Sequence, residues 1–173
     1  MRRTTRNVSA RWRVLSLVGL LGCWTALAFA SDSAVLLQVG GAVKTPLALT
    51  AGDLAEMPRS TAQFERDGET ATYEGVLLYD ILVKAGVPFG KDMPGKPMAS
   101  YILATARDGY QVVFALPEVD PAFEGARVLI ADKRDGGPLL PVQRPLQVIA
   151  PQDKMHARSM YSLSKIEVVR LRP

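Results

Sequence analysis

The order of the first thirty residues decides which part of this 173-residue chain folds. Five arginines and no acidic residue lie in the first 13 positions, Val14–Leu27 is almost wholly apolar, and Ala28-Phe29-Ala30 supplies small residues where a signal peptidase reads the chain. This order is typical of a secretory signal peptide rather than of a folded element. The sequence therefore predicts cleavage after Ala30, export to the bacterial periplasm, and a single folded domain over residues 31–173.

Two alternatives to a plain cleaved leader remain open. Leu20-Leu21-Gly22-Cys23 resembles a lipoprotein box, although seven mostly apolar residues separate Cys23 from the end of the leader. Arg2-Arg3 resembles the start of a twin-arginine signal, but Thr4-Thr5-Arg6 follows it in place of apolar residues. The apolar run is shorter than the about 20 residues of a membrane helix, and none like it recurs later. We therefore expect no membrane span in the mature chain.

Removing the leader changes the charge and the available chemistry. The whole chain has 21 basic and 17 acidic residues, and five basic but no acidic residues lie in the leader, which leaves 16 against 17 and a net charge of −1. This balance gives no support to a nucleic-acid surface. Cys23, the only cysteine, also lies in the leader. The mature domain therefore has no disulfide, thiolate metal site or cysteine nucleophile.

The secondary-structure signals predict an α+β domain dominated by strands, with two short helices covering a mixed or barrel-like sheet. Thr50 and Asp53 have the spacing of a capping box before a helix over 51–57, and Asp67-Gly68 predicts a hairpin turn. Residues 76–85 have apolar positions at helical spacing. A short helical excursion is expected over 116–123. The predicted strands are 34–40, 46–50, 60–66, 70–73, 101–105, 111–115, 128–131, 146–150 and 166–171.

Five segments in register carry a family resemblance. Tyr73–Leu82 is similar to an aromatic-x-Gly-Val-x-Leu-x-Asp-Leu-Leu helix, and Arg107–Tyr110 is similar to a Ser-x-Asp-Gly-Tyr turn. The other three are Leu37–Val43 with Pro46–Leu49 and Asp53-Leu54, Gly137–Pro141 with Arg144–Pro151, and Arg158-Ser159 with Leu163–Val168. Together they resemble the molybdopterin-binding fold of the sulfite oxidase family over nearly all of residues 35–171. The resemblance implies that fold for this chain.

The chain differs from that family in the residue that would bind the metal. Catalytic members hold molybdenum through a cysteine that precedes the aromatic-x-Gly-Val segment, and a thiolate is a soft ligand that suits this metal. Residues 60–72 contain no cysteine, and replacement of the thiolate by a carboxylate such as Glu65 is an open alternative. We therefore expect a pterin as ligand, without molybdenum.

The resemblance also implies a function. A cysteine-free, exported subgroup of these domains binds reduced pterins without catalysis and regulates a membrane-bound diguanylate cyclase/phosphodiesterase, and so cyclic di-GMP-controlled attachment or biofilm formation. The partner would be the periplasmic domain of that enzyme. The alternatives are a small periplasmic molybdopterin-dependent oxidoreductase and an assembly domain with a vestigial pocket.

A pterin is a flat bicycle that needs acceptors and donors at its edge and an apolar or aromatic face. Asp108 is the candidate acceptor, and Arg107 is the candidate donor beside it. The alternative is that these residues only form a tight turn and bind no ligand. Arg158 is a candidate for bidentate binding of an anionic or carbonyl edge. His156 is the only histidine, so no histidine cluster for zinc or copper exists. The predicted ligand-binding residues are Tyr73, Arg107, Asp108, Arg144, His156, Arg158 and Ser159.

Several of these residues have a simpler interpretation. Tyr73 either lines the site or belongs to the core, and Arg144 either holds a ligand tail or phosphate or is a solvated loop arginine. A lone histidine in a loop, such as His156, is often a surface or packing residue. The sequence has no Gly-rich phosphate loop and no Ser-His-Asp set at motif spacing, so no catalytic residue is predicted.

Overall fold

A computed structural model of the protein describes residues 34–93, 95–123 and 125–171, so the predicted leader lies outside the described residues. In these three ranges no helix is both long and apolar enough to cross a membrane. The described residues form seventeen short elements, and strands contribute most of their length.

The first sheet contains β1 (Leu37–Gly41), β2 (Leu47–Leu49), β5 (Ser100–Ala106), β6 (Gln111–Ala115) and β10 (Leu163–Arg170). Their spatial order is β2-β1-β10-β5-β6. β1 pairs with β10 in parallel, and the other neighbours are antiparallel. The sheet therefore joins the start of the described chain to its end.

The second sheet contains β3 (Arg59–Arg66), β4 (Glu69–Leu77), β7 (Leu129–Arg134), β8 (Gly137–Pro138) and β9 (Gln147–Ile149). It is antiparallel and has the order β3-β4-β7-β8, with β9 also paired to β7. Asp67 and Gly68 both have positive φ in the β3–β4 turn, as the hairpin prediction required.

Two α-helices connect strands. α1 (Ala51–Ala55) has the predicted capping box: the Asp53 backbone N–H donates to Thr50 Oγ1 at 3.2 Å, and Asp53 Oδ2 accepts from the Thr50 backbone N–H at 2.8 Å. α2 spans Leu78–Lys84, so the predicted helix start at residue 76 is wrong. Val76 and Leu77 continue β4 because they pair with Ile130 and Leu129 of β7. Tertiary pairing thus overrides the local helical spacing.

Each face of the second sheet covers apolar residues. The larger core, which includes Val76, Ile130 and Val148, lies between the two sheets and α2. A smaller cluster on the opposite face contains Phe64 and Tyr73. The end of β3 lies beside the loop that precedes β10, where the candidate site is, because Arg66 donates hydrogen bonds to the carbonyl oxygens of His156 and Ser159.

Candidate functional site

A cleft of about 400 Å³ opens where the β5–β6 turn meets the segment that leads into β10. Four of the predicted ligand-binding residues line it, and about fifty residues of chain separate those in the turn from those in the later segment. The lining residues include Arg66, Arg107, Asp108, Tyr110, His156, Ser159, Met160 and Tyr161.

The β5–β6 turn forms one wall of the cleft. Asp108 Oδ1 accepts from the Tyr110 backbone N–H at 2.9 Å, which is the local turn contact that the sequence allowed as an alternative. The Tyr110 hydroxyl donates to the Ala157 carbonyl oxygen at 3.0 Å and so ties the two walls together. The Arg107 side chain is exposed and makes no hydrogen bond with a described residue. Its guanidinium is therefore a donor group available at the mouth of the cleft.

The opposite wall is the 3₁₀ turn His156–Arg158 and the residues after it. Arg66, at the end of β3, donates from Nη2 to the carbonyl oxygens of His156 at 3.0 Å and Ser159 at 2.9 Å. Its guanidinium also lies 4.8 Å from the centroid of the Tyr161 ring. Arg66 therefore holds this wall in place.

Aromatic side chains surround that wall. The His156 ring packs edge-on against Phe64, with 4.9 Å between centroids, so the imidazole has the packing role that the sequence allowed as an alternative while it also lines the cleft. Sequence reasoning missed Arg66, Tyr110 and Tyr161 as lining residues. Arg66 and Tyr161 had no local signal, because a hairpin end and a loop aromatic acquire their position only from tertiary packing.

Ser159 contributes backbone rather than hydroxyl to the site. Its side chain is 1% exposed, and its Oγ accepts from the Ala150 backbone N–H at 2.9 Å. The hydroxyl is thus used to hold the loop against the end of β9.

Tyr73 and Arg144 do not line the cleft. Tyr73 is buried, and its hydroxyl accepts from Gln143 Nε2 at 3.2 Å. It borders a neighbouring cavity of about 180 Å³, which shares Arg66 and Tyr161 with the cleft. Arg144 is exposed and donates from Nε to the Leu139 carbonyl oxygen at 2.8 Å, a contact within its own loop.

Arg158 points to the other side of its 3₁₀ turn. It donates to both carboxylate oxygens of Asp153, at 2.8 and 2.6 Å, and lies 3.0 Å from a carboxylate oxygen of Glu118. The hydrogen bonds that Arg158 donates to Asp153, and next those that it donates to Glu118, raise the pKa of the Arg158 guanidinium above its usual value, against the opposing effect of burial. Arg158 therefore lines a separate groove of about 610 Å³, with its charge already neutralised.

The donor set of the site fits an organic ring better than a metal. Among the described residues, no group of three or more His, Cys, Asp or Glu side chains could hold a metal ion. In the 60–72 segment, which would have to replace the missing thiolate, Glu65 is exposed, whereas Phe64 is buried against His156 and Arg66 lines the cleft. Residues 60–72 therefore place neither a thiolate nor a carboxylate in the cleft lining, so they do not supply the protein ligand that molybdenum would need.

Comparison with known proteins is informative for the fold alone. No protein-family profile and no curated protein matches the chain. Among solved structures, it is similar to the crystal structure of the sulfane dehydrogenase SoxCD from Paracoccus pantotrophus, with a TM-score of 0.60 and 19% sequence identity over 77% of this chain. The match covers 37% of the SoxCD chain. The predicted fold class is confirmed: the protein is a strand-dominated α+β domain of two sheets and few helices, consistent with a sulfite oxidase-like fold.

Proposed function

We propose that the cleft binds a pterin without a metal, and that the protein is a non-catalytic periplasmic regulator. One observation carries the ligand proposal. Arg107, Asp108 and His156, chosen from two distant segments of the sequence, line the same cleft together with Tyr110 and Tyr161.

The chemistry of these groups matches the edge and the face of a pterin. The Arg107 guanidinium is a donor for the ring oxygen, and the second carboxylate oxygen of Asp108 is an acceptor for the amino and ring N–H groups. Hydrogen bonds of this kind to a charged partner contribute about 1.5–3 kcal/mol each. The Tyr110 and Tyr161 rings offer aromatic surface for the face of the bicycle.

The regulatory part of the proposal is supported by the family resemblance together with the absence of a cysteine from residues 60–72. Its partner would be the periplasmic domain of a membrane-bound diguanylate cyclase/phosphodiesterase, whose output would set cyclic di-GMP and biofilm formation. The fold likeness to a sulfane dehydrogenase supports a second candidate, a small molybdopterin-dependent oxidoreductase.

Isothermal titration calorimetry with tetrahydrobiopterin under nitrogen, and fluorescence titration with oxidised biopterin, test the ligand on the purified protein. Residues 31–173 contain no tryptophan, so protein emission will not obscure the pterin signal. Arg107→Ala should weaken binding about tenfold, the loss of about 1.4 kcal/mol. Arg170→Ala, at an exposed position at the end of β10, is the matched control and should bind as the unchanged protein does.

Two further measurements separate the candidates. Stoichiometric molybdenum by elemental analysis of the protein purified from its own host would favour the oxidoreductase. If pterin binds without metal, the purified periplasmic domain of the cyclase/phosphodiesterase should bind the protein more tightly with pterin present than without it. A protein that binds neither pterin nor molybdenum at micromolar concentration would contradict both candidates.

A further inference from the structure

Most of the outer strands of the two sheets are short or covered. β2 has three residues and β8 has two, and on the far side of β9 the Val148 backbone N–H donates to the loop before β10. Along β6, Arg158 Nη1 donates to the Val113 carbonyl oxygen at 3.4 Å. The Ala115 backbone N–H of the same strand donates to Glu118 Oε2 at 3.2 Å. These features hinder pairing with another chain, to which an open strand edge is prone.

The outer edge of β3 is different because it is long and open. The strand spans eight residues, Arg59–Arg66, without proline and without a register shift against β4. Thr72 of β4 shows which way the backbone groups point, because its N–H and its carbonyl oxygen both bond to Asp135, on the side away from β3. Gln63 lies opposite Thr72 in this non-hydrogen-bonded pair, so its own N–H and carbonyl oxygen point out of the sheet.

The same alternation applies along the whole strand. Every second residue presents its backbone N–H and carbonyl oxygen at the outer edge, namely Arg59, Thr61, Gln63 and Glu65. Within residues 34–93, 95–123 and 125–171, none of these outward groups has a hydrogen-bond partner. The side chains of Thr61, Gln63 and Glu65 are exposed as well. β3 therefore offers a row of backbone donors and acceptors to one further strand.

The strand that fits this edge can be identified from β3 itself. When two copies of β3 run antiparallel about a twofold axis at Ala62, Thr61 lies opposite Gln63 of the second copy, and Arg59 lies opposite Glu65. The outward groups of both copies then meet, and each of these pairs exchanges two backbone hydrogen bonds. No like charges face each other, which would be destabilising. Moving the axis to Gln63 loses the Arg59–Glu65 pair, because Glu65 then lies opposite Thr61.

We propose that the protein forms a twofold dimer in which the β3 strands of two copies pair antiparallel and join the two second sheets into one. A second copy closes two identical open edges at once, whereas an added peptide would leave its own outer edge open. Ala62 at the axis is small, so the two copies can approach closely there. The dimer does not depend on what the cleft binds.

Ala62→Cys tests the register of the pairing. Across the axis this residue faces itself in a non-hydrogen-bonded pair, whose Cα atoms are about 4.5 Å apart, within the range of a disulfide. The only native cysteine is Cys23, in the predicted leader, so the unchanged protein produced from the full chain sets the background. We expect the variant to run as a disulfide-linked dimer on a non-reducing gel after mild oxidation. Val113→Cys, on the covered edge of β6, is the matched control and should run as a monomer.

Gln63→Pro tests the backbone hydrogen bonds. Proline removes the outward N–H but no bond to β4, and an edge position of this kind tolerates it. Sedimentation velocity should show a dimer for the unchanged protein and for Gln63→Thr, and a dimer at least tenfold weaker for Gln63→Pro. If Gln63→Pro lowers the melting temperature, Glu65→Arg serves as the second variant, since it places two arginines opposite each other and should also weaken the dimer.

Three results would overturn the proposal. The first is an unchanged protein that sediments as a monomer even at about 1 mM. The second is a dimer that neither Gln63→Pro nor Glu65→Arg weakens. The third is a failure of Ala62→Cys to crosslink, or equal crosslinking of the two cysteine variants.

Discussion

Arg66 Nη2 donates to the carbonyl oxygen of Ser159 at 2.9 Å and so joins the end of β3 to the far wall of the cleft. A second hydrogen bond from the same atom reaches the carbonyl oxygen of His156. These two residues bracket the 3₁₀ turn of that wall, so one side chain sets the position of the whole turn.

Arg66→Gln should loosen this wall. Charge-assisted hydrogen bonds contribute about 1.5–3 kcal/mol each, and Arg66 is partly exposed, so we expect a loss of about 2 kcal/mol in the free energy of unfolding. Amide hydrogen exchange of residues 156–160 should accelerate more than that of β5. Arg170→Gln is the control, with no change expected in either measurement. Unchanged exchange at 156–160 would show that packing, rather than Arg66, holds the turn.

Gly75 explains why the aromatic-x-Gly-Val segment needs a glycine. A Cβ atom at this position would lie 2.0 Å from the Ile130 carbonyl oxygen and 2.7 Å from the Ala131 Cα atom. Both are backbone atoms of the paired strand β7, so β4 and β7 would have to separate. We expect Gly75→Ala to lower the free energy of unfolding by about 3 kcal/mol or more, measured by urea denaturation.

Gly40→Ala is the matched control for that prediction. Gly40 also lies in a strand, but a Cβ atom there meets nothing within 4 Å, and its φ is not positive. Replacing a strand glycine of this kind should be neutral or stabilising by up to about 1 kcal/mol. Equal destabilisation by the two substitutions would contradict the close-approach explanation for Gly75.

Arg158→Ala should affect stability more than ligand binding. The substitution leaves Asp153 and Glu118 without their cation, but the Arg158 side chain is 32% exposed, so solvent screening limits the loss. We expect the free energy of unfolding to fall by about 1–2 kcal/mol, and pterin affinity to change less than in Arg107→Ala. A large loss of affinity with unchanged stability would instead place Arg158 in the ligand site.

The fold could be predicted from the sequence where its signals are local. The capping box of Thr50 and Asp53 and the Asp67-Gly68 turn are each decided by contacts within four residues, and both are present. The predicted start of α2 at residue 76 is wrong because Val76 and Leu77 fit both the spacing of a helix and the pairing of a strand. Only β7, more than fifty residues later, decides between them.

In the candidate site, too, residues could be predicted from the sequence only where their signals are local. Asp108 and Arg107 could be found because a turn between two strands has a local signature. Arg66 could not, since its contacts with His156 and Ser159 span about ninety residues. Arg158 has the charge that a ligand contact needs, yet it is paired with Asp153, five residues earlier, and with Glu118, forty residues earlier in the chain.

The capping box of α1 should make stability depend on pH in a defined window. Hydrogen bonds from the Thr50 backbone N–H, and then from its hydroxyl, lower the pKa of Asp53 below its ordinary value. A carboxyl with a lowered folded-state pKa stabilises the fold above its unfolded pKa of about 3.9, and this contribution is lost as the pH falls through the folded pKa.

Asp53→Asn keeps an acceptor oxygen but removes the charge. Its melting temperature should therefore lie below that of the unchanged protein at pH 7, and the gap should close as the pH falls below about 4. Glu56→Gln, which removes an exposed carboxylate beside the same helix and leaves the capping box intact, is the control and should keep the melting temperature of the unchanged protein at pH 7. A gap for Asp53→Asn that stays constant from pH 7 to pH 3 would mean that the charge of Asp53 does not stabilise the helix start.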